Sequence, residues 1–264
     1  MERVNIQMLA VIPTARAWGR PLLAPAVIVL GWAAVSAAGV FPPSLFPHPW
    51  EVGRGVMVEL QSGRLFTDAV ASLFRVTAGF LLAVAVGIPA GLLLGHSARA
   101  REALLPLVNF FRSLSPLAWI PFAILWLGIG DAPVIFLIFM AAFFPIVLST
   151  SAAVASIPSV YFRVARDLGI RGPRLLGTVT LPAIAPHVIT TLRVTAGLSW
   201  LVVVAAEMIA GQDGLGFAVW DARNGLRIDL LAAVMVVIGM IGIALDRVLL
   251  RLTLIPSVRW GYER

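Results

Sequence analysis

The chain of 264 residues has no cysteine, no lysine, only two tyrosines and few charges of either sign, 12% in all. Without cysteine there is no disulfide, no thiolate metal site and no Cys nucleophile. A soluble domain carries roughly 25% charged residues. Here 60% of the residues are hydrophobic and the mean hydropathy is +0.96. No soluble core of this size holds that surplus, so the bilayer is the solvent. The three histidines, His48, His96 and His187, fall in different loops and span ends. No metal-ligand spacing or Ser-His-acid arrangement links them, and each is expected to be a polar residue at an interface.

What the chain does have is long apolar runs. A helix crosses the hydrocarbon in about 20 residues. Six stretches qualify: 22–40, 69–95, 104–127, 132–155, 183–210 and 230–252. The expected fold is therefore an all-α polytopic membrane protein, one transmembrane domain of six helices. The first run follows a basic head and shows no small-residue cleavage pattern, so it reads as an anchor that stays. After it, FPPSLFPHPW has four prolines in ten residues, which disfavours helix. A helical pattern resumes from Glu51 to Gln61.

All twenty basic residues are arginine, and the formal charge is +7. In a polytopic chain such an excess sets topology rather than binding nucleic acid. With the N-terminus inside, the cytoplasmic segments hold Arg3, Arg16, Arg20, Arg99, Arg101, Arg163, Arg166, Arg171, Arg174, Arg247, Arg251, Arg259 and Arg264. The outer loops hold only Arg54, Arg64, Arg223 and Arg227. An even number of spans satisfies the positive-inside rule and puts both termini in the cytoplasm. Arg75, Arg112 and Arg193 fall within spans. Arg75, near an outer end, reads as an anchor.

Gly87, Gly91 and Gly95 recur every four residues, on one helix face, where another backbone can approach closely. They mark a packing seam between spans or between subunits. A self-complementary seam would suit a homodimer.

Residues 158–182 form a basic loop between the fourth and fifth spans. The helical pattern breaks at Gly169, which tolerates positive φ, and again at Gly172-Pro173. Two short helices are expected, the second ending at Leu181-Pro182. Such helices either transmit a push from a soluble partner or rest on lipid headgroups.

This loop resembles the signature of the permease subunits of bacterial ABC importers: E-A-A, three residues, G, nine residues, I-x-L-P. The frame falls on Arg163-Val164-Ala165, then Gly169, then Val179-Thr180-Leu181-Pro182. Arg163 stands where Glu is usual, and Val164 replaces an Ala. The likeness extends from about Pro47 onward and is strongest to the nitrate/sulfonate/bicarbonate (taurine-type) branch. It is carried by SLFRVTAGF (72–80), SPLAWIP (115–121), IFLIFMAAFFPI (135–146), VASIP (154–158), LRVTAGLSWLVVVAAEMIAG (192–211), GFAVWDARN (216–224) and LDR (245–247).

The resemblance implies a type I importer (MetI-like) fold in the bacterial inner membrane, with Arg163, Val164, Ala165, Arg166, Asp167, Leu168 and Gly169 coupling to an ATPase. It also implies a second permease chain, two cytoplasmic ATPase subunits and an extracytoplasmic solute-binding protein. ATP and Mg would be bound by the partner, since this chain has no G-x-x-x-x-G-K-S/T loop.

Charges inside a membrane default to functional roles. Arg193 and Glu207 lie fourteen residues apart, within about 40° of one helix face but about 21 Å apart along the axis. With Ser199 and Trp200 they are expected to line a pathway for a small anion, Arg193 alternatively serving as a structural clamp. Arg112 and Ser115 would contribute from the third span, beside kinks at Pro116 and Pro121. A six-span secondary transporter and an intramembrane enzyme are the competing classes. The first lacks a chain of intramembrane carboxylates and the second lacks a paired acid and base.

Overall fold

The structure is a computed structural model that describes residues 15–42 and 44–251. The arginines counted at positions 3, 259 and 264 lie outside the described residues. Eleven helices follow one another among those described: α1 (Ala15–Ala37), α2 (Pro49–Gln61), α3 (Arg64–His96), α4 (Ala98–Ser113), α5 (Ile120–Leu127), α6 (Asp131–Ala155), α7 (Ser159–Asp167), α8 (Gly172–Leu175), α9 (Leu181–Ala210), α10 (Leu215–Asn224) and α11 (Ile228–Leu250).

Four of these are long and apolar enough to cross a membrane: α3, α6, the continuous helix Gly172–Ala210, and α11. The apolar part of α1, Leu23–Ala37, is shorter. The expected third span is not one rod. Helix α4 and the segment Pro116–Leu127 meet at an 88° bend. Leu114 and Ser115 are extended, with ψ of 132° and 129°. Pro116 excludes the helical conformation at Ser115 and removes a donor, so the helix ends there and restarts through a 3₁₀ turn over Pro116–Trp119.

The core is built on α6, which packs against α3, α9, α4 and α5. Gly79, Ala83, Gly87, Gly91 and Gly95 form the contacting stripe of α3. A Cβ at Gly79 would sit 2.8 Å from the Ile135 carbonyl oxygen, and one at Gly91 2.8 Å from that of Val147. At Gly95 it would meet Val154 Cβ at 2.5 Å. In lipid, helices associate through close packing rather than hydrophobic exclusion, and small residues permit it. The seam is thus filled by α6 of the same chain. It offers no contact to a second subunit, and the homodimer argument drawn from it falls.

Helix α2 is set by its N-cap. Trp50 N–H donates to His48 Nδ1 at 3.2 Å, and the Glu51 carboxylate accepts from His48 N–H at 3.0 Å, a reciprocal capping box. Trp32 Nε1 donates to the Pro47 carbonyl at 3.0 Å and ties α1 to this turn. Helix α2 then packs on α11, with Arg227 reaching Glu59 at 3.6 Å.

Replacing Gly91 by Val should force α3 from α6 and cost about 1–3 kcal/mol. Gly53→Ala, with open space around it, should leave stability unchanged or slightly raised. Thermal unfolding in detergent, followed by tryptophan fluorescence, compares the two.

Candidate functional site

Two regions stand out, at opposite ends of the bundle. The first is the loop carrying α7 and α8. Helix α7 ends in a Schellman motif: Ile170 N–H donates to the Ala165 carbonyl at 2.8 Å and Gly169 N–H to that of Arg166 at 3.0 Å. Gly169 has φ 74°, as the expected turn requires. Of the helix, Ala165 is buried and anchors it. Val160, Val164 and Leu168 recur every four residues and are exposed, Leu168 by 71%. Tyr161 is also exposed, and Arg163, Arg166 and Asp167 surround this ridge. Such a ridge of apolar side chains left open on a charged helix is the kind of surface that a protein partner or the lipid headgroup layer covers.

Beyond α8 the chain does not stop at Leu181-Pro182. Residues Leu176–Thr180 form a π-helical turn, closed by Leu181 N–H donating to the Leu176 carbonyl, and α9 continues from it. Pro182 has no N–H with which to bond back in an α pattern, which accounts for the wider turn. The loop and the span are therefore one helix, Gly172–Ala210.

The second region lies at the α10 end. Arg75 of α3 is 2% exposed and Glu207 of α9 is fully buried. Arg75 Nη1 donates to Glu207 Oε1 at 2.9 Å and to the Asp213 carbonyl at 2.8 Å. Its Nε donates to Asp131 Oδ1 at 2.6 Å and its Nη2 to the Asp213 carboxylate. Ser72 donates to Glu207 Oε2 at 2.8 Å. Three successive amides at the start of α10 are capped by the same group of side chains. Gly214 N–H donates to Asp68 at 3.0 Å, Leu215 N–H to Ser72 at 2.9 Å and Gly216 N–H to Glu207 at 2.9 Å. One guanidinium thus joins α3, α9, the first residue of α6 and the turn before α10. Its planar fork makes four hydrogen bonds in fixed directions, more than the three donors of a lysine ammonium.

Comparison with known proteins decides the family. Residues 87–255 match the family described as binding-protein-dependent transport system inner membrane component. The chain belongs to this ABC importer permease family. It is similar to the nitrate import permease protein NrtB of Synechocystis, 40% identical over 177 residues, covering 67% of this chain and 64% of that one. It is also similar to the taurine transport system permease protein TauC of Escherichia coli, 34% identical over 226 residues, 84% of this chain and 82% of that one. The inward-facing MetNI methionine ABC transporter shares its fold, with a TM-score of 0.59 at 21% identity over 74% of this chain and 99% of the other. The permease is thus a multi-pass protein of the inner membrane whose family works with an ATPase and a binding protein.

In the permease the expected pathway residues do not share one environment. Arg193 forms a two-pronged ion pair with Asp246 of α11, at 2.7 and 2.8 Å. Glu207 faces α3, because Arg75 and Ser72 are there to satisfy it. Ser199 is buried and donates to the Thr195 carbonyl at 2.9 Å. Trp200 is buried and donates from Nε1 to the Ile238 carbonyl at 3.2 Å. Arg112 lines a cleft of 610 Å³ between α4, α6 and α9, with Phe111, Phe144, Ser149 and Leu198. Ser115 sits exposed at the bend.

Arg75, read from sequence as an anchor, is instead the buried hub. The available signal was an intramembrane cation, Arg75, and an intramembrane anion, Glu207, each needing a partner. Removing one member of a buried pair strands the other, so Arg75→Ala should cost about 3–5 kcal/mol. Adding Glu207→Gln should recover part of that loss. A double-mutant cycle of melting temperatures in detergent measures the coupling; additive losses would show that the two side chains act separately.

Proposed function

We propose that the permease imports a small oxyanion, of the nitrate, bicarbonate or sulfonate class, together with a second permease chain and two cytoplasmic ATPase subunits, fed by an extracytoplasmic binding protein. Both termini and α7 face the cytoplasm, in keeping with the arginine distribution. Nucleotide and Mg are held by the ATPase, and the permease itself hydrolyses nothing. The observation that carries this reading is the ridge Val160, Val164 and Leu168, exposed along α7 and its C-cap and joined through the Gly169 turn to the helix Gly172–Ala210. The anion assignment draws on the nitrate and taurine relatives.

Arg112 supports it from within the chain. No carboxylate pairs with it among the described residues, and it borders a cleft beside the bend at Pro116. A fixed cation there attracts an anion, and the modest number of contacts lets the anion leave.

Transport of labelled nitrate, bicarbonate and taurine into proteoliposomes holding the assembled complex tests the proposal. Leu168→Glu should detach the ATPase and abolish uptake. Arg112→Gln should keep the ATPase and lower uptake roughly tenfold, as expected for one charge-assisted contact. Uptake that persists without ATP, or an ATPase retained by Leu168→Glu, contradicts the reading.

A further inference from the structure

The π-helical turn Leu176–Thr180 is the irregular segment of the helix that links the loop to the membrane. A turn with i to i+5 bonds packs less regularly than the α-helix on either side, and such turns concentrate at functional positions. Something must hold it. Thr180 is fully buried, and its hydroxyl lies 3.1 Å from His96 Nε2.

His96 is the last residue of α3. Its Nδ1 lies 3.0 Å from the Leu92 carbonyl, which only accepts, so the neutral ring carries its proton there. That N–H adds a second hydrogen bond to a carbonyl in the last turns of α3. Nε2 is left to accept from the Thr180 hydroxyl. The same ring meets Phe162 of α7 edge to face, with centroids 5.9 Å apart. Around it opens a cleft of 730 Å³, lined also by Ser159, Arg166 and Arg171. Three elements therefore converge on one imidazole: the end of α3, the docking helix α7 and the π-helical turn. Behind His96, Gly95 and Gly91 lock α3 onto α6.

We propose that His96 is a positioning residue for energy coupling. It clamps the π-helical turn and α7 to the α3–α6 body, so that displacement of α7 moves the membrane helices instead of bending the chain at Leu176–Thr180. The inference rests on the reading of α7 as the ATPase docking helix.

Thr180→Val keeps the side-chain shape and loses the hydroxyl, while Thr180→Ser keeps the hydroxyl. Each is placed in the assembled complex in proteoliposomes. ATP hydrolysis, retention of the ATPase and uptake of labelled nitrate, bicarbonate and taurine are then measured together. Thr180→Val should retain the ATPase and its hydrolysis but lower uptake per ATP about tenfold, the effect of one lost buried hydrogen bond. Thr180→Ser should restore the wild-type ratio, and His96→Ala should match Thr180→Val. A wild-type ratio in Thr180→Val, or an equal loss in Thr180→Ser, would overturn the clamp. Absence of the ATPase from the wild-type complex would instead overturn the docking reading on which it rests.

Discussion

One continuous helix ties the two ends of the molecule together. Gly172–Ala210 runs for 39 residues, about 58 Å, from the loop beside α7 to the buried Glu207. Besides its close packing on α6 it is held by electrostatic and hydrogen-bonded ties, because the bilayer supplies no hydrophobic force between helices. Thr180 is tied to α3, Arg193 to Asp246 of α11, and Glu207 to Arg75. Each tie joins the rod to a different neighbour or a different level of the same one. The Arg75 cluster is the most demanding of them, since a buried charge stays only where it is paired and hydrogen-bonded.

Against the rod stands a closely packed body, α3 on α6. The stripe of small residues on α3 brings its backbone into contact with α6 and leaves no room for a methyl group at Gly79, Gly91 or Gly95. Rod and body meet through His96 at one end and Arg75 at the other. Between α4 and α5 the chain bends by 88° at Pro116, and Arg112 comes to border a cleft there. A permease has to move without losing its packing. Here the irregular backbone includes that bend and the π-helical turn, while the α3–α6 contact runs along the whole small-residue stripe.

Much of this was legible in the chain. Apolar run length located α3, α6, α9 and α11, because a helix in lipid must be both long and apolar. Gly169 announced the turn after α7 because a left-handed residue there is most easily glycine. The signature around Ala165, Gly169 and Leu181-Pro182 carries the family in the sequence itself. Other features were not legible, for a common reason. Periodicity describes a helix by itself, and pairing depends on its neighbours. The glycine stripe could not say whether α6 or another subunit filled it. Arg193 and Glu207 share a face of an ideal helix, yet Asp246 draws one and Arg75 the other. Pro116 signalled a kink, but whether the chain would bend slightly or by a right angle depended on Leu114 and Ser115 becoming extended.

The central claim is that α7 is a handle gripped from the cytoplasm. The chain is free of cysteine, so a single Leu168→Cys substitution gives one thiol with no background. Labelling with a membrane-impermeant maleimide reads its side and its cover. The account predicts no labelling in intact cells, rapid labelling in inside-out vesicles stripped of the ATPase, and protection when the ATPase is restored. Labelling from the outside of intact cells would contradict it.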